Sequence, residues 1–306
     1  MYFDSRRGVY MSKYDFMMQV VSVLKTRSEL SGATVTCDVC VRNNDTEKHG
    51  IIISYGEMQL SSVIYVDDFY NRYQEKKLTI EETADEVVSI NCKTKDKRNI
   101  DISDIFSWDS CKDRVIFRLI SANKNKKYLS NVSYVPFLDL AIMFTLCMDI
   151  NEDGVESMKI TNDIMKGWGV GVQDLMNQAL INTPRILPAK IEPMHDVVTS
   201  FLGCEPDEDL IDALPMVLVS NEKLVYGATT ILYEEAMTNL GDRLGDDFYI
   251  IRSSIDEVLV LPSDNVDDTD DINRIINEVN RDHVINEDIL SDKVYFYKRN
   301  ERRFYY

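Results

Sequence analysis

Cys37-Asp38-Val39-Cys40 has the spacing of a redox dithiol or half of a zinc site. Redox use needs the first thiol at a helix N-terminus, where the backbone dipole lowers its pKa. These residues instead sit in an alternating run, with Val35, Cys37, Val39 and Val41 on one side and Thr36, Asp38 and Cys40 on the other. That pattern predicts a strand whose two sulfurs point to opposite faces, and no second CxxC completes a zinc set. Asp149, Asn151, Asp153 and Gly154 occupy positions 1, 3, 5 and 6 of a calcium loop. Position 12, which needs a bidentate Glu, is Ile160, so a hairpin turn is the better reading. Gly167-Trp168-Gly169-Val170-Gly171 fits neither GxGxxG nor a Walker loop and reads as a turn before a helix. The three imidazoles, His49, His195 and His283, belong to no HExxH motif, and no GxSxG elbow is present. His195-Asp196 suits a surface or capping role at a helix start, and Glu75-Lys76-Lys77 echoes a nuclease ending without the strand or the preceding Asp such a site needs.

Carboxylates are the remaining chemical resource. Asp264, Asp267, Asp268, Asp270 and Asp271 crowd one segment, and Glu205, Asp207, Glu208, Asp209 and Asp212 crowd another. Such groups can hold Mg²⁺ or Ca²⁺, but a solvated loop running into the positive end of a helix dipole is the better reading. Asp256-Glu257 stands just ahead of an apolar strand, where capping or turn formation is the simpler role. The metal-ligating candidates are therefore Asp256, Glu257, Asp264, Asp267 and Asp268; no catalytic residue and no cofactor site is expected.

The elements that must position these groups follow from periodicity. Tyr14 to Lys25 has helical spacing at Phe16, Val20, Val23 and Leu24. Thr34 to Val41 and Gly50 to Tyr55 form a hairpin across Asn43-Asn44-Asp45, and Ser62 to Val66 is a third strand. Thr79-Ile80-Glu81-Glu82 is a capping box opening a helix. A further helix is expected over about 110 to 121. Phe137 to Met148 should return as Val155 to Ile160 across a turn. Val172 to Asn182 is helical, with Pro184 and Pro188 ending it, and Pro193 opens another helix that Gly203 stops. Met216 to Val219 and Lys223 to Tyr226 predict a hairpin, Glu234 to Leu244 a helix stopped by Gly245, Phe248 to Arg252 and Val258 to Leu261 strands, and Asp270 to Arg281 a helix with an acidic first turn. Antiparallel strand groups alternating with amphipathic helices, without regular βαβ alternation, predict an α+β fold in two lobes.

The chain has 306 residues, 34 basic and 52 acidic, for a net charge of −18. Residues 1–131 hold 20 basic and 19 acidic side chains, close to neutral, whereas 132–292 hold 9 and 32, a balance of −23. The last fourteen residues carry five basic and one acidic and predict a short basic terminal strand. The expected lobes are thus 1–131, near neutral, and 132–306, acidic, with the polar stretch 122–131 between them. An acidic surface repels a phosphate backbone, so direct nucleic-acid binding is not expected. No stretch reaches the ~20 apolar residues of a membrane span, the start lacks the pattern of a secretory signal, and six scattered cysteines fit reduced thiols, so a cytoplasmic protein is expected.

Val135-Pro136-Phe137-Leu138-Asp139-Leu140-Ala141, Trp168-Gly169-Val170, Asn182-Thr183-Pro184-Arg185-Ile186-Leu187-Pro188, Gly227-Ala228, Ser253 through Pro262 and Leu290 through Tyr295 together resemble an uncharacterised bacterial family, domain of unknown function 5688, common in gut Firmicutes. The chain is more distantly similar to a second uncharacterised Firmicutes family. The resemblance spans most of the chain from about Tyr14 and implies a shared fold; it brings no catalytic residue. On the residues themselves, the expected function is a non-enzymatic protein-binding module whose acidic half takes a basic partner, in one form as an inhibitor or nucleic-acid mimic. The alternative is a metal-dependent hydrolase drawing on the carboxylates named above.

Overall fold

The computed structural model describes residues 11–55, 62–97, 105, 107–151, 154–203, 216–252, 254–266 and 268–306. The chain divides into two compact units, Met1–Arg42 with Thr46–Asp104, and Asn43–Asp45 with Ile105–Tyr306. Every strand pairing is antiparallel and helices pack beside the sheets, so the fold is α+β. No helix among the described residues is long and apolar enough to cross a membrane.

The first unit is a three-stranded sheet, β1 (Ala33–Val41), β2 (Glu47–Tyr55) and β3 (Ser62–Tyr65), in that order, with helices α1 (Lys13–Leu24), α2 (Asp67–Gln74) and α3 (Ile80–Lys97). Alternation in β1 and β2 turns Val35, Ile51 and Ile53 onto one face, where they meet Phe16, Met17, Val20, Leu24, Ala84 and Val87 from α1 and α3. The capping box forms at the start of α3: Glu82 N donates to Thr79 Oγ1 (3.2 Å), and Thr79 N donates to the Glu82 carboxylate (2.8 Å). Cys37 packs with this core and lies 3.5 Å from Met18 Sδ, while Cys40 faces the other side of the sheet beside Gly50. Burial pushes both thiols up, away from the thiolate a redox pair needs.

The second unit holds two sheets. One comprises β4 (Val115–Ser121), β6 (Leu140–Asn151) and β5 (Tyr134–Phe137), with β7 (Gly154–Lys159) also paired to β6. The other has six strands in the order β13 (Arg303–Tyr305), β12 (Val294–Lys298), β10 (Phe248–Ile251), β11 (Val258–Pro262), β9 (Val217–Asn221) and β8 (Ala189–Pro193). Its helices are α4 (Trp108–Cys111), α5 (Asn162–Trp168), α6 (Val172–Ile186), α7 (Met194–Leu202), α8 (Glu234–Leu244) and α9 (Thr269–Asp282). Gly169, Gly203 and Gly245 stop α5, α7 and α8 in the left-handed conformation. The tripeptide Asn43–Asp45 is bound within this unit: Asn44 N and Asn125 Oδ1 are 2.8 Å apart, and Asp45 accepts from the amides of Lys127 and Tyr128.

Three expectations are corrected. The helix expected over 110 to 121 is only the short α4, and 115–121 is β4, buried on both faces. The side chains of α6 and of the 3-10 segment Gly227–Leu232 explain this, because they satisfy the free edge of the strand. Thr183 Oγ1 accepts from Phe117 N (3.1 Å), Thr229 Oγ1 from Leu119 N (3.2 Å), and Asn182 Nδ2 donates to Val115 O (3.0 Å). Lys223 to Tyr226 is not a strand, since Asn221 closes a turn there by accepting from Lys223 N and donating to Val225 O. Pro184 lies inside α6, whose last turn continues to Ile186.

Candidate functional site

The element that presents the acidic residues most directly is α9. Asp268 caps it, its carboxylate accepting from Asp270 N (2.9 Å), and Asp270 and Asp271 occupy the first turn, where they meet the positive end of the helix dipole. One stripe of the helix is apolar: Ile272 and Ile276 are buried against Val294, with Tyr249, Ile251, Leu261 and Val266 around them. Two asparagines fix its rotation. Asn280 Nδ2 donates to Ser291 O (2.9 Å), and Asn273 Oδ1 accepts from Val294 N (3.0 Å). The opposite stripe therefore faces solvent, and Asp270, Asp271, Glu278 and Asp282 on it are exposed, as are Asp264 and Asp268 ahead of it. Arg274 pairs with Asp271 (2.8 Å) and Arg281 with Asp282 (2.8 Å). Asp264, Asp268, Asp270 and Glu278 form no ion pair among the described residues.

Beneath this helix the sheet is anchored by a buried polar network. Arg252 is fully buried; its Nη1 lies 3.3 Å from Asp139 Oδ1, its Nη2 donates to Lys293 O (2.9 Å), and its guanidinium stacks over the Tyr295 ring. Asp139 also accepts from Ser291 Oγ (3.0 Å) and from the Tyr295 hydroxyl. Burial pushes the Asp139 carboxyl up, but the bonds from Tyr295 and Ser291 and the charge of Arg252 outweigh it and hold the carboxyl below its usual range. The network ties the β5–β6 turn to β10, β12 and the segment that leads out of α9. Sequence reasoning missed it; the single signal was an aspartate at 139 inside an otherwise apolar segment.

The carboxylates singled out from the sequence do not converge. Asp256 and Glu257 are half-buried between β10 and β11, Asp264 is exposed in the 3-10 turn Ser263–Asn265, Asp268 caps α9, and Asp267 lies outside the described residues. Among the described residues no group of three His, Cys, Asp or Glu side chains is placed to hold a metal ion. Asp256 is engaged structurally: its carboxylate accepts from Tyr226 N (2.8 Å), its carbonyl from Ser220 Oγ (2.6 Å), and its amide donates to Ser254 Oγ (3.0 Å). Burial raises the carboxyl pKa of Asp256, and burial together with the neighbouring Asp256 and Asp288 charges raises that of Glu257. The Asp149–Gly154 segment is the β6–β7 hairpin turn, with residues 152 and 153 outside the described residues. His195 contacts Asp196 (3.1 Å) in the first turn of α7. A polar cleft of about 230 Å³ beside the C-terminal strands is lined by Thr238, Asp242, Tyr297, Arg299, Asn300 and Arg302. Arg299 there is already engaged by the Asp242 carboxylate (3.0 Å) and Gly245 O (3.0 Å).

A family model described as a family of unknown function (DUF5688) matches residues 13–299. No curated protein and no solved structure matches the chain.

Proposed function

The chain belongs to the family of unknown function DUF5688, and from that premise, which assigns no chemistry, we propose that it is a non-enzymatic protein-binding module whose acidic second unit engages a basic partner. The observation that carries this reading is the exposed stripe of α9 with the capping segment ahead of it, where Asp264, Asp268, Asp270 and Glu278 form no ion pair among the described residues. The second unit as a whole holds 20 basic and 36 acidic residues, a net of −16, against −2 for the first. A field of that sign accelerates encounter with a basic surface and disfavours acidic competitors. The finer form of the proposal is an inhibitor or nucleic-acid mimic working in the bacterial cytoplasm on a basic groove; the exposed carboxylates of α9 and its capping segment support that form.

The test is capture by the immobilised full chain at about 50 mM and about 500 mM salt, beside a variant carrying Asp264→Asn, Asp270→Asn and Glu278→Gln. The proposal expects a basic protein retained at low salt, released at high salt and lost with the variant. Retention that ignores both salt and the three substitutions would sink it.

A further inference from the structure

Arg118 is an unusual residue for a buried strand. It is 8% exposed in the middle of β4, yet it makes no ion pair among the described residues. A guanidinium taken out of water without a counter-charge is costly. Its surroundings supply only partial compensation: Nη2 donates to the Tyr128 hydroxyl (2.5 Å), Nε approaches Met143 Sδ (3.3 Å), and the guanidinium lies 4.7 Å from the Tyr226 ring centroid. Nη1 has no protein partner among the described residues.

The sheet register places a second unsatisfied group beside it. Arg118 sits opposite Met143, and Thr145 follows two residues along β6 on the same face. Thr145 is 1% exposed, and its Oγ1 is buried with no hydrogen-bond partner. Lys159 of β7 sits opposite Thr145, and its Nζ lies 4.3 Å from the centroid of the Tyr128 ring whose hydroxyl holds Arg118. Arg118 donates to Tyr128, Lys159 lies by the Tyr128 ring and is register-paired with Thr145, and Met143, opposite Arg118 and two residues from Thr145 on the same face, closes the ring. It contributes a guanidinium, an ammonium and two hydroxyls. Leaving a buried hydroxyl unpaired costs free energy that a ligand would recover, and a guanidinium N–H makes a strong charge-assisted hydrogen bond to an oxyanion.

We propose that this ring is a binding site for a small oxyanion, a phosphate or carboxylate group, held by Arg118 Nη1 and the Thr145 hydroxyl with Lys159 and Tyr128 alongside. The site stands apart from the acidic stripe of α9 and does not rest on the function proposed for it. The test follows thermal unfolding and calorimetric titration of the full chain with inorganic phosphate and, separately, with acetate, each against sodium chloride at matched ionic strength. Saturable stabilisation is expected with at least one anion, phosphate alone marking a phosphoryl ligand and acetate alone a carboxylate. Thr145→Val keeps the shape of the side chain and removes the hydroxyl. It is expected to fold at least as stably without anion and to bind about tenfold more weakly, the effect of one hydrogen bond to a charged group. Arg118→Lys, which keeps the charge but loses the fork, should weaken binding at least as much. No saturable response beyond chloride in the wild-type chain, or Thr145→Val binding as tightly as wild type, overturns the proposal.

Discussion

The buried pair Asp139 and Arg252 shows how much one charge can hold. Asp139→Asn removes the carboxylate while Arg252 stays fully buried, and breaking a buried pair from one side costs about 3–5 kcal/mol. Chemical denaturation should show a loss of that size, far above the ~1 kcal/mol of an ordinary substitution. Because the folded carboxyl is held below its unfolded value, its contribution is present above about pH 4 and disappears as pH falls through the lower folded pKa. Asp256 and Glu257 have the opposite sign: burial raises them, so the stability linked to their protonated forms is complete below the unfolded pKa and is lost as pH rises through the folded one. Glu257→Gln should therefore gain on the wild type as pH rises above about 4, read as a difference in Tm that grows until the folded carboxyl has ionised. Asp256→Asn keeps an oxygen for Tyr226 N; should it abolish a stabilisation that ~1 mM Mg²⁺ or Mn²⁺ gives the wild type, the hydrolase alternative would regain ground. At this scale the sequence displayed the local motifs, such as the Thr79 capping box and the Gly245 stop, because their partners lie within a few residues. Asp139 and Arg252 are 113 residues apart, and no spacing rule joins them.

Elements were legible where one face is buried and the other is wet. The β1–β2 hairpin, α1, α8 and α9 all show that contrast, and their positions follow from it. β4 does not: Val-Ile-Phe-Arg-Leu-Ile-Ser is buried on both faces, and a short apolar run of that kind carries no period to separate strand from helix. Its identity rests on α6, whose Asn182 and Thr183 satisfy the strand edge from outside the sheet. Asn182→Ala leaves the carbonyls of Lys112 and Val115 without that donor, and a loss of about 1–3 kcal/mol is expected in urea unfolding. The misreading also hid the oxyanion ring, since Arg118 and Thr145 become neighbours only once β4 pairs with β6. For α9 the decisive residue is Ile276, 1% exposed beneath an acidic face. Ile276→Ala should cost about 2–4 kcal/mol and, with every surface charge retained, still weaken partner capture by loosening the helix that presents them.

Over the whole molecule the charge of −18 acts on two equilibria with opposite signs. Within the second unit, carboxylates on α9 and its neighbours repel one another, so the folded state carries a self-repulsion that salt relieves. Between the acidic face and a basic partner the same charges attract, and salt weakens that attraction as the screening length falls from about 30 Å at 0.01 M to about 3 Å at 1 M. Raising sodium chloride over that range should therefore increase the Tm of the free chain while it reduces partner retention, with both slopes shallower in the variant carrying Asp264→Asn, Asp270→Asn and Glu278→Gln. The paired measurement separates binding from folding: a partner released because the acidic unit had unfolded would leave with a falling Tm, whereas the electrostatic account requires release while Tm rises. If retention and Tm decline together, the acidic surface is not what holds the partner, and the net charge serves solubility alone.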